Sequence, residues 1–543
     1  MNKKIFSKII SLVIVVFLLI FVLYPFICML DQSIHINGVF SFENYIYVFK
    51  NYKQAILNSI TVAIWTSIFT TIMSLILVLF IFTKGKIIKN LLMIIILIGF
   101  IQPPFVSSLS YIVLYGRRGL ITYNLLNLNT NPYTVYGIIL MQIISFIPLN
   151  VIYLNSNIER IDKNILQSAK DLGASGKRIL FDIIIPMLSS SIIVVFFLTF
   201  IRSICDFSIP TIVGGRYQTF SSEIYVKLIG ASDLEKSAVM NVILMIPSIV
   251  IFIFYLYGMR KNEDKNISRT NLINNLELKK LGVYKYIINI IGVVYILIIF
   301  LQYFAIVFYS LFKKVKTSYV FTMEYINKFF NYNFTSLIRS IVYAIIVSIF
   351  CIIFSILFNY KKRKKDNLIN NFLDFIIMMP YMLPGTYFGI SYILAFNKEP
   401  IKLTGTALIV ILNIIFKQMP ITNKMCDGAF KQIPKDIENS CYDLGGNELN
   451  VICDVIIPKI KNTITDIFIY NFNSALTTYG SILFLINPRR KLAIFDLFDK
   501  IYIGEYHDAS VLSCMIIIVV IVVSLIVKYI GNINKNMENK NVY

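Results

Sequence analysis

The sequence predicts an all-α polytopic membrane protein with about twelve transmembrane helices in two parallel six-helix repeats, and three observations predict it. Of the 543 residues, 57% are hydrophobic and 15% charged, where average soluble domains carry about 25% charged residues. The apolar residues gather in runs of about 20, the length that crosses a hydrocarbon core of about 30 Å. The chain also matches itself at a fixed offset. A large soluble catalytic domain is excluded, because the polar stretches between the apolar runs fall well short of a domain of about 50 residues or more.

The runs lie at 9–30, 55–83, 90–115, 135–154, 188–208, 238–257, 283–312, 338–359, 369–396, 404–423, 463–485 and 510–530. Several exceed the minimum span and contain Pro or Gly, so tilts and breaks are expected. The first run follows the basic stretch Met1 to Lys8 as a secretory signal would, yet it outruns a signal core of about 7–15 residues and reads as an uncleaved helix. With the N-terminus inside, inner segments hold 30 Lys and Arg and outer segments 17, which places both termini in the cytoplasm. The net charge of +22 then reflects orientation and contact with anionic membrane lipid, and no nucleic-acid partner is expected. The seven cysteines are scattered without a CxxC pair, and His35 and His507 have no ligand neighbour at metal spacing. Neither a metal site, a disulfide framework nor a cofactor is expected.

The self-match is clearest between residues 161–186, IDKNILQSAKDLGASGKRILFDIIIP, and residues 433–458, IPKDIENSCYDLGGNELNVICDVIIP, which align without gaps at an offset of 272. Asp171/Asp443, Leu172/Leu444, Gly173/Gly445 and Pro186/Pro458 coincide. Upstream, Asn58-Ser59 pairs with Arg339-Ser340 at an offset of 281, so nine residues are absorbed, and the outer segment 116–134 is where length costs least. Six spans per half is an even number, so both halves insert the same way up. The boundaries read 1–260 for the first half, 261–281 for a cytoplasmic linker and 282–543 for the second half. Both matched segments join span four to five or ten to eleven on the positive side. Ile165, Ser168, Ala169 and Leu172, and Ile437, Ser440, Cys441 and Leu444, recur at helical spacing and offer one face to another protein; an amphipathic loop on the membrane interface is the alternative. Gly173 and Gly445 permit a sharp turn, and Pro186 and Pro458 mark where the next helix is expected to begin.

This spacing resembles the EAA loop of binding-protein-dependent ABC importer permeases. Gln167-Ser168-Ala169 and Asn439-Ser440-Cys441 occupy the motif's first three places, Gly173 and Gly445 its glycine, and Pro186 and Pro458 its end. Both initial Glu positions depart from the pattern, keeping an acceptor but no charge. Two loops in one chain resemble the fused permeases of iron(III), thiamine and 2-aminoethylphosphonate importers. The resemblance implies a type I importer fold and a non-catalytic membrane subunit in the bacterial cytoplasmic membrane. Its implied partners are two copies of an ABC ATP-binding subunit, gripping Gln167, Ser168, Ala169, Asp171, Leu172, Gly173, Pro186 and Asn439, Ser440, Cys441, Asp443, Leu444, Gly445, Pro458, and an extracytoplasmic substrate-binding protein. The chain has no GxxxxGK[ST] of its own; Gly173-Ala174-Ser175-Gly176-Lys177-Arg178 has the wrong spacing and Arg where a hydroxyl must reach Mg²⁺. Iron(III) is the first expectation for cargo, with 2-aminoethylphosphonate, thiamine or another small solute as alternatives.

The path is marked by fewer residues. Arg202 and Asp206, one turn apart in span five, are candidates for lining or gating it; an intrahelical pair is the alternative, and the equivalent positions are Ser474 and Thr478. Pro103-Pro104 and Pro380, Pro384-Gly385 interrupt spans three and nine, either to expose carbonyls to a cavity or as packing kinks. A twelve-helix ion-coupled transporter would share the two parallel halves but carry more intramembrane ionisable groups, and a membrane enzyme would cluster His, Asp or Ser.

Overall fold

In the computed structural model, which describes residues 12–128, 131–159, 161, 163–231, 233–263, 283–315, 318–364 and 368–540, each of the twelve apolar runs carries a helix. Eight helices are long and apolar enough to cross a membrane, and ten spans result when two bent pairs count as one each. The remaining two runs fold as Ala407–Phe430 and Lys461–Thr477. These are the polar ones: the first buries Asn413, Gln418, Thr422 and Asn423, the second Asn471 and Asn473. Such side chains are tolerated where helices face protein rather than lipid. Most of the linker expected at 261–281 lies outside the described residues.

The two halves are built alike. Span two (Glu43–Phe82) packs on spans four (Val135–Ile158) and five, and span eight (Phe334–Lys364) packs on spans ten and eleven in the same way. Matched hydrogen bonds accompany the match in sequence. Ser59 Oγ accepts from the Phe220 amide at 2.7 Å and Ser340 Oγ from the Ala493 amide at 2.9 Å. One residue earlier, Asn58 donates to the Gln218 carbonyl at 2.9 Å and Arg339 to that of Lys491 at 2.8 Å. The nine-residue difference falls in the segment after span three, where 116–134 corresponds to 397–406.

The first span of each half leans on the other half. Leu12–Ile34 packs against Gly385–Phe396 of span nine, and Val283–Leu311 packs against Pro104–Tyr115 of span three. Tyr392 donates to the Phe21 carbonyl at 2.7 Å, and Tyr303 to that of Ile98 at 2.8 Å, so each exchange is fixed by a phenol. After each of these first spans comes a two-stranded ribbon, His35–Ile36 with Val39–Phe40 and Phe312–Val315 with Ser318–Phe321. In the former, Asn37 and Gly38 take φ of 50° and 80°, the left-handed pair that a tight hairpin requires.

Two prolines sit differently from expectation. Pro186 and Pro458 do not begin the next helix. The chain is already helical from Gly176 to Cys205, with a π turn at Ile179–Ile184, and from Glu448 to Lys459, with a π turn at Val451–Ile456. Pro25 follows a third π turn, Leu19–Leu23. In each case the residue before Pro donates its amide five positions back, as Ile185 does to Leu180 and Ile457 to Ile452. The wider turn gives the ring the room that an α turn denies it. Span eleven also ends early, at Thr477 rather than near 485, because Gly480 and Ser481 run against Gly385 and Gly389 with backbone atoms 2.6–3.2 Å from where a Cβ would stand.

Candidate functional site

The two matched segments fold into the same device. A short helix, Lys163–Asp171 or Lys435–Asp443, is followed by glycine with positive φ, +78° at Gly173 and +85° at Gly445. The Ala174 amide reaches back to the Ala169 carbonyl and the Gly446 amide to that of Cys441, both at 2.9 Å, the bond that closes a left-handed helix end. Nothing lies within 4 Å of a Cβ at either glycine, so the backbone angle, not crowding, calls for glycine. Ala169 and Cys441 are half-buried against their own halves, while Gln167, Ser168, Asp171, Asn439, Ser440 and Asp443 are exposed. Leu172 and Leu444 are 88% and 90% exposed, side chains that water alone does not favour at a turn. The sequence-derived loop residues therefore come together in each half, except Pro186 and Pro458, which lie beyond the π turns and away from the tip.

The loops differ in how they are held. In the second, Arg363 Nε meets Glu438 Oε1 at 2.7 Å, Lys364 meets Glu448 at 2.7 Å, and the hydroxyls of Tyr360 and Tyr442 are 2.7 Å apart. Arg363 also donates to the carbonyls of Phe430 and Ile433. In the first, the positions equivalent to Arg363 and Glu438 are Phe82 and Leu166, both buried in one apolar cluster. Lys177 instead lies over the Tyr284 ring at 5.9 Å.

At the seam between the halves, Arg202 and Asp206 are not a pair. No ion pair links them among the described residues. Asp206 follows the helix end at Cys205 and caps the next turn: Oδ1 accepts from the Ser208 amide at 3.0 Å and its hydroxyl at 2.5 Å, and Oδ2 from Gln142 at 3.0 Å. Its counterpart Thr478 likewise accepts from a glutamine, Gln418, at 3.0 Å. The Arg202 guanidinium lies 4.4 Å from the centre of the Phe146 ring, and its buried Nη1 has no hydrogen-bond acceptor.

Both helix breaks are real and sharp. Lys86–Ile101 and Phe105–Leu125 meet at 98°, and Leu368–Met382 and Gly385–Phe396 at 113°. At the second break the freed carbonyls face a cation rather than an open cavity: Lys417 donates to Pro380 O at 2.7 Å and Leu383 O at 2.8 Å. Sequence reasoning left Lys417 without a role, because the carbonyls it meets belong to a break in a different span. At the end of the bundle away from the loops, aromatic rings of both halves close the seam. Phe105 meets Tyr479 at 4.8 Å and Phe498 at 4.9 Å, Phe207 meets Tyr479 at 5.7 Å, and Tyr225 meets Phe498 at 5.7 Å. Among the described residues no group of three or more His, Cys, Asp or Glu could hold a metal ion.

Comparison with known proteins accounts for the doubled architecture. The family model described as "Binding-protein-dependent transport system inner membrane component" matches residues 71–230 and again 352–535, so each match contains one of the two loops. The ferric transport system permease protein FbpB of Actinobacillus pleuropneumoniae is 24% identical over 542 residues, covering 97% of this chain and 78% of that protein. The putative ferric transport system permease protein FbpB 1 of Haemophilus influenzae is 24% identical over 503 residues, 89% of this chain and 78% of its own. The putative 2-aminoethylphosphonate transport system permease protein PhnU of Salmonella typhimurium is 26% identical over 247 residues, 43% of this chain and 85% of its own. The chain belongs to the binding-protein-dependent transport system inner membrane components, and it carries their domain twice as a fused permease.

Proposed function

We propose that this chain forms the complete membrane path of an ATP-driven importer for iron(III), and that two copies of a separate ATP-binding subunit dock on loops 161–186 and 433–458. The loops face the cytoplasm, with both termini on that side, and an extracytoplasmic binding protein delivers cargo to the opposite end. The observation that carries this reading is the pair of exposed leucines, Leu172 and Leu444, each set beside a left-handed glycine at the equivalent place in its half. Burying one leucine side chain in a partner is worth about 1.5–3 kcal/mol, and two handles at equivalent places suit a pair of identical subunits, although the difference in charge between the loops makes their contributions unequal. The choice of iron(III) is supported by the two ferric permeases that the chain resembles along most of its length.

Closure of the ATP-binding subunits draws the two loops together. Because the first loop continues as one helix, Gly176–Cys205, into span five, and the second, Glu448–Lys459, meets span eleven across the single residue Ile460, the movement passes to the seam, where the first spans exchanged between halves act as the hinge contacts. The test is co-purification of the ATP-binding subunit with the double variant Leu172→Asp, Leu444→Asp. Loss of co-purification and of uptake supports docking at these loops, and full retention of both removes it.

A further inference from the structure

We propose that cargo passes the seam as an anion, so that iron(III) crosses bound to an oxyanion such as a carboxylate or phosphate rather than as a bare cation. The inference rests on the importer reading above and deepens it. Arg202 stands in span five just short of the aromatic seal, with Phe146 of the same half against its guanidinium at 4.4 Å. From the second half, Tyr381 and Tyr470 lie within its electrostatic reach, and Tyr470 stacks at 6.4 Å on Phe100 of the first. The guanidinium thus sits where four helices of both halves converge.

Its Nη1 is buried and lacks an acceptor, a costly state for a group that stays charged at any working pH. A second cation, Lys417, approaches the same helix from the other half, within electrostatic reach of Cys205, and spends two N–H groups on the carbonyls of Pro380 and Leu383. The acid at this place, Asp206, has both oxygens engaged by Ser208 and Gln142. With two cations, one committed carboxylate and no group of three or more His, Cys, Asp or Glu able to hold a metal ion among the described residues, the seam repels a bare trivalent cation. An oxyanion in transit would give Arg202 the acceptor it lacks.

The experiment uses the full chain reconstituted in vesicles with its ATP-binding subunit and its binding protein. ⁵⁵Fe(III) is supplied with [¹⁴C]citrate in one arm and with [³²P]phosphate in the other. ATP-driven uptake is expected to carry one anion label inward in fixed ratio to iron. Arg202→Gln should lower ⁵⁵Fe uptake by about tenfold or more, the value of one charged hydrogen bond, while Arg202→Lys recovers much of it and both variants co-purify with the ATP-binding subunit. Iron entering with neither label, or entering at the wild-type rate through Arg202→Gln, overturns the inference and leaves the importer reading standing. Wild-type vesicles that accumulate no ⁵⁵Fe with ATP overturn both. The double label on the unmodified chain decides the matter even if Arg202→Gln fails to assemble.

Discussion

The Arg363 guanidinium holds the Glu438 carboxylate at 2.7 Å, and at the equivalent positions of the other half Phe82 and Leu166 are buried in an apolar cluster. One duplicated scaffold therefore anchors the same short helix in two chemically opposite ways. The Arg363 and Glu438 side chains are only 13% and 10% exposed, so removing one partner strands the other. The apolar solution in the first half shows that a charged pair is not required by the fold.

Glu438→Leu alone should destabilise the second half by about 3 kcal/mol, the cost of an uncompensated buried charge. The double variant Arg363→Phe, Glu438→Leu should recover most of that, because it imports the arrangement at Phe82 and Leu166. Thermal unfolding of the purified chain in detergent measures both, and a double variant no better than the single would refute the equivalence.

A second pair is exchanged between the halves. Asn150 Nδ2 donates to Thr199 Oγ1 at 2.7 Å, and at the same two places in the second half Thr422 Oγ1 donates to Asn471 Oδ1 at 2.8 Å. Asn and Thr have traded helices. Either single change, Asn150→Thr or Thr199→Asn, should cost about 1 kcal/mol, and the two together should cost less than either. A double-mutant cycle on unfolding or uptake reads the coupling, which vanishes if the contact is incidental.

Glycines predict opposite signs. A Cβ on Gly389 would stand 2.6 Å from Ser481 O, whereas Gly428 has nothing within 4 Å and lies inside the helix Ala407–Phe430. Gly389→Ala should destabilise by about 1–3 kcal/mol through forced separation of the backbones. Gly428→Ala should stabilise by about 1 kcal/mol, since Gly is the poorer helix former. Equal effects on the melting temperature would contradict the close approach at span nine.

Much of this architecture was legible because duplication writes itself twice. The offset of 272 located both loops, Asn58-Ser59 against Arg339-Ser340 located a matched set of hydrogen bonds, and the change of offset located the longer segment 116–134. Helix ends were less legible. Hydropathy marks the membrane and not the helix, so span two begins at Glu43 although its apolar run starts near 55. Pro186 and Pro458 looked like helix starts because the pattern that announces a first turn also fits a proline relieved by a π turn. Arg202 and Asp206 looked like a pair because spacing records a shared face, whereas the helix ends at Cys205 and turns the carboxylate towards Gln142 and Ser208. The role of Lys417 depends on a break in another helix and has no local signature.

Whether an ATP-binding subunit grips both loops of one chain is decided by photo-cross-linking. p-Benzoylphenylalanine is placed at position 172 or 444, in separate full-length chains assembled with the ATP-binding subunit in vesicles. Each position should capture that subunit on irradiation. Capture at neither, in vesicles that still transport, would contradict docking at the loops.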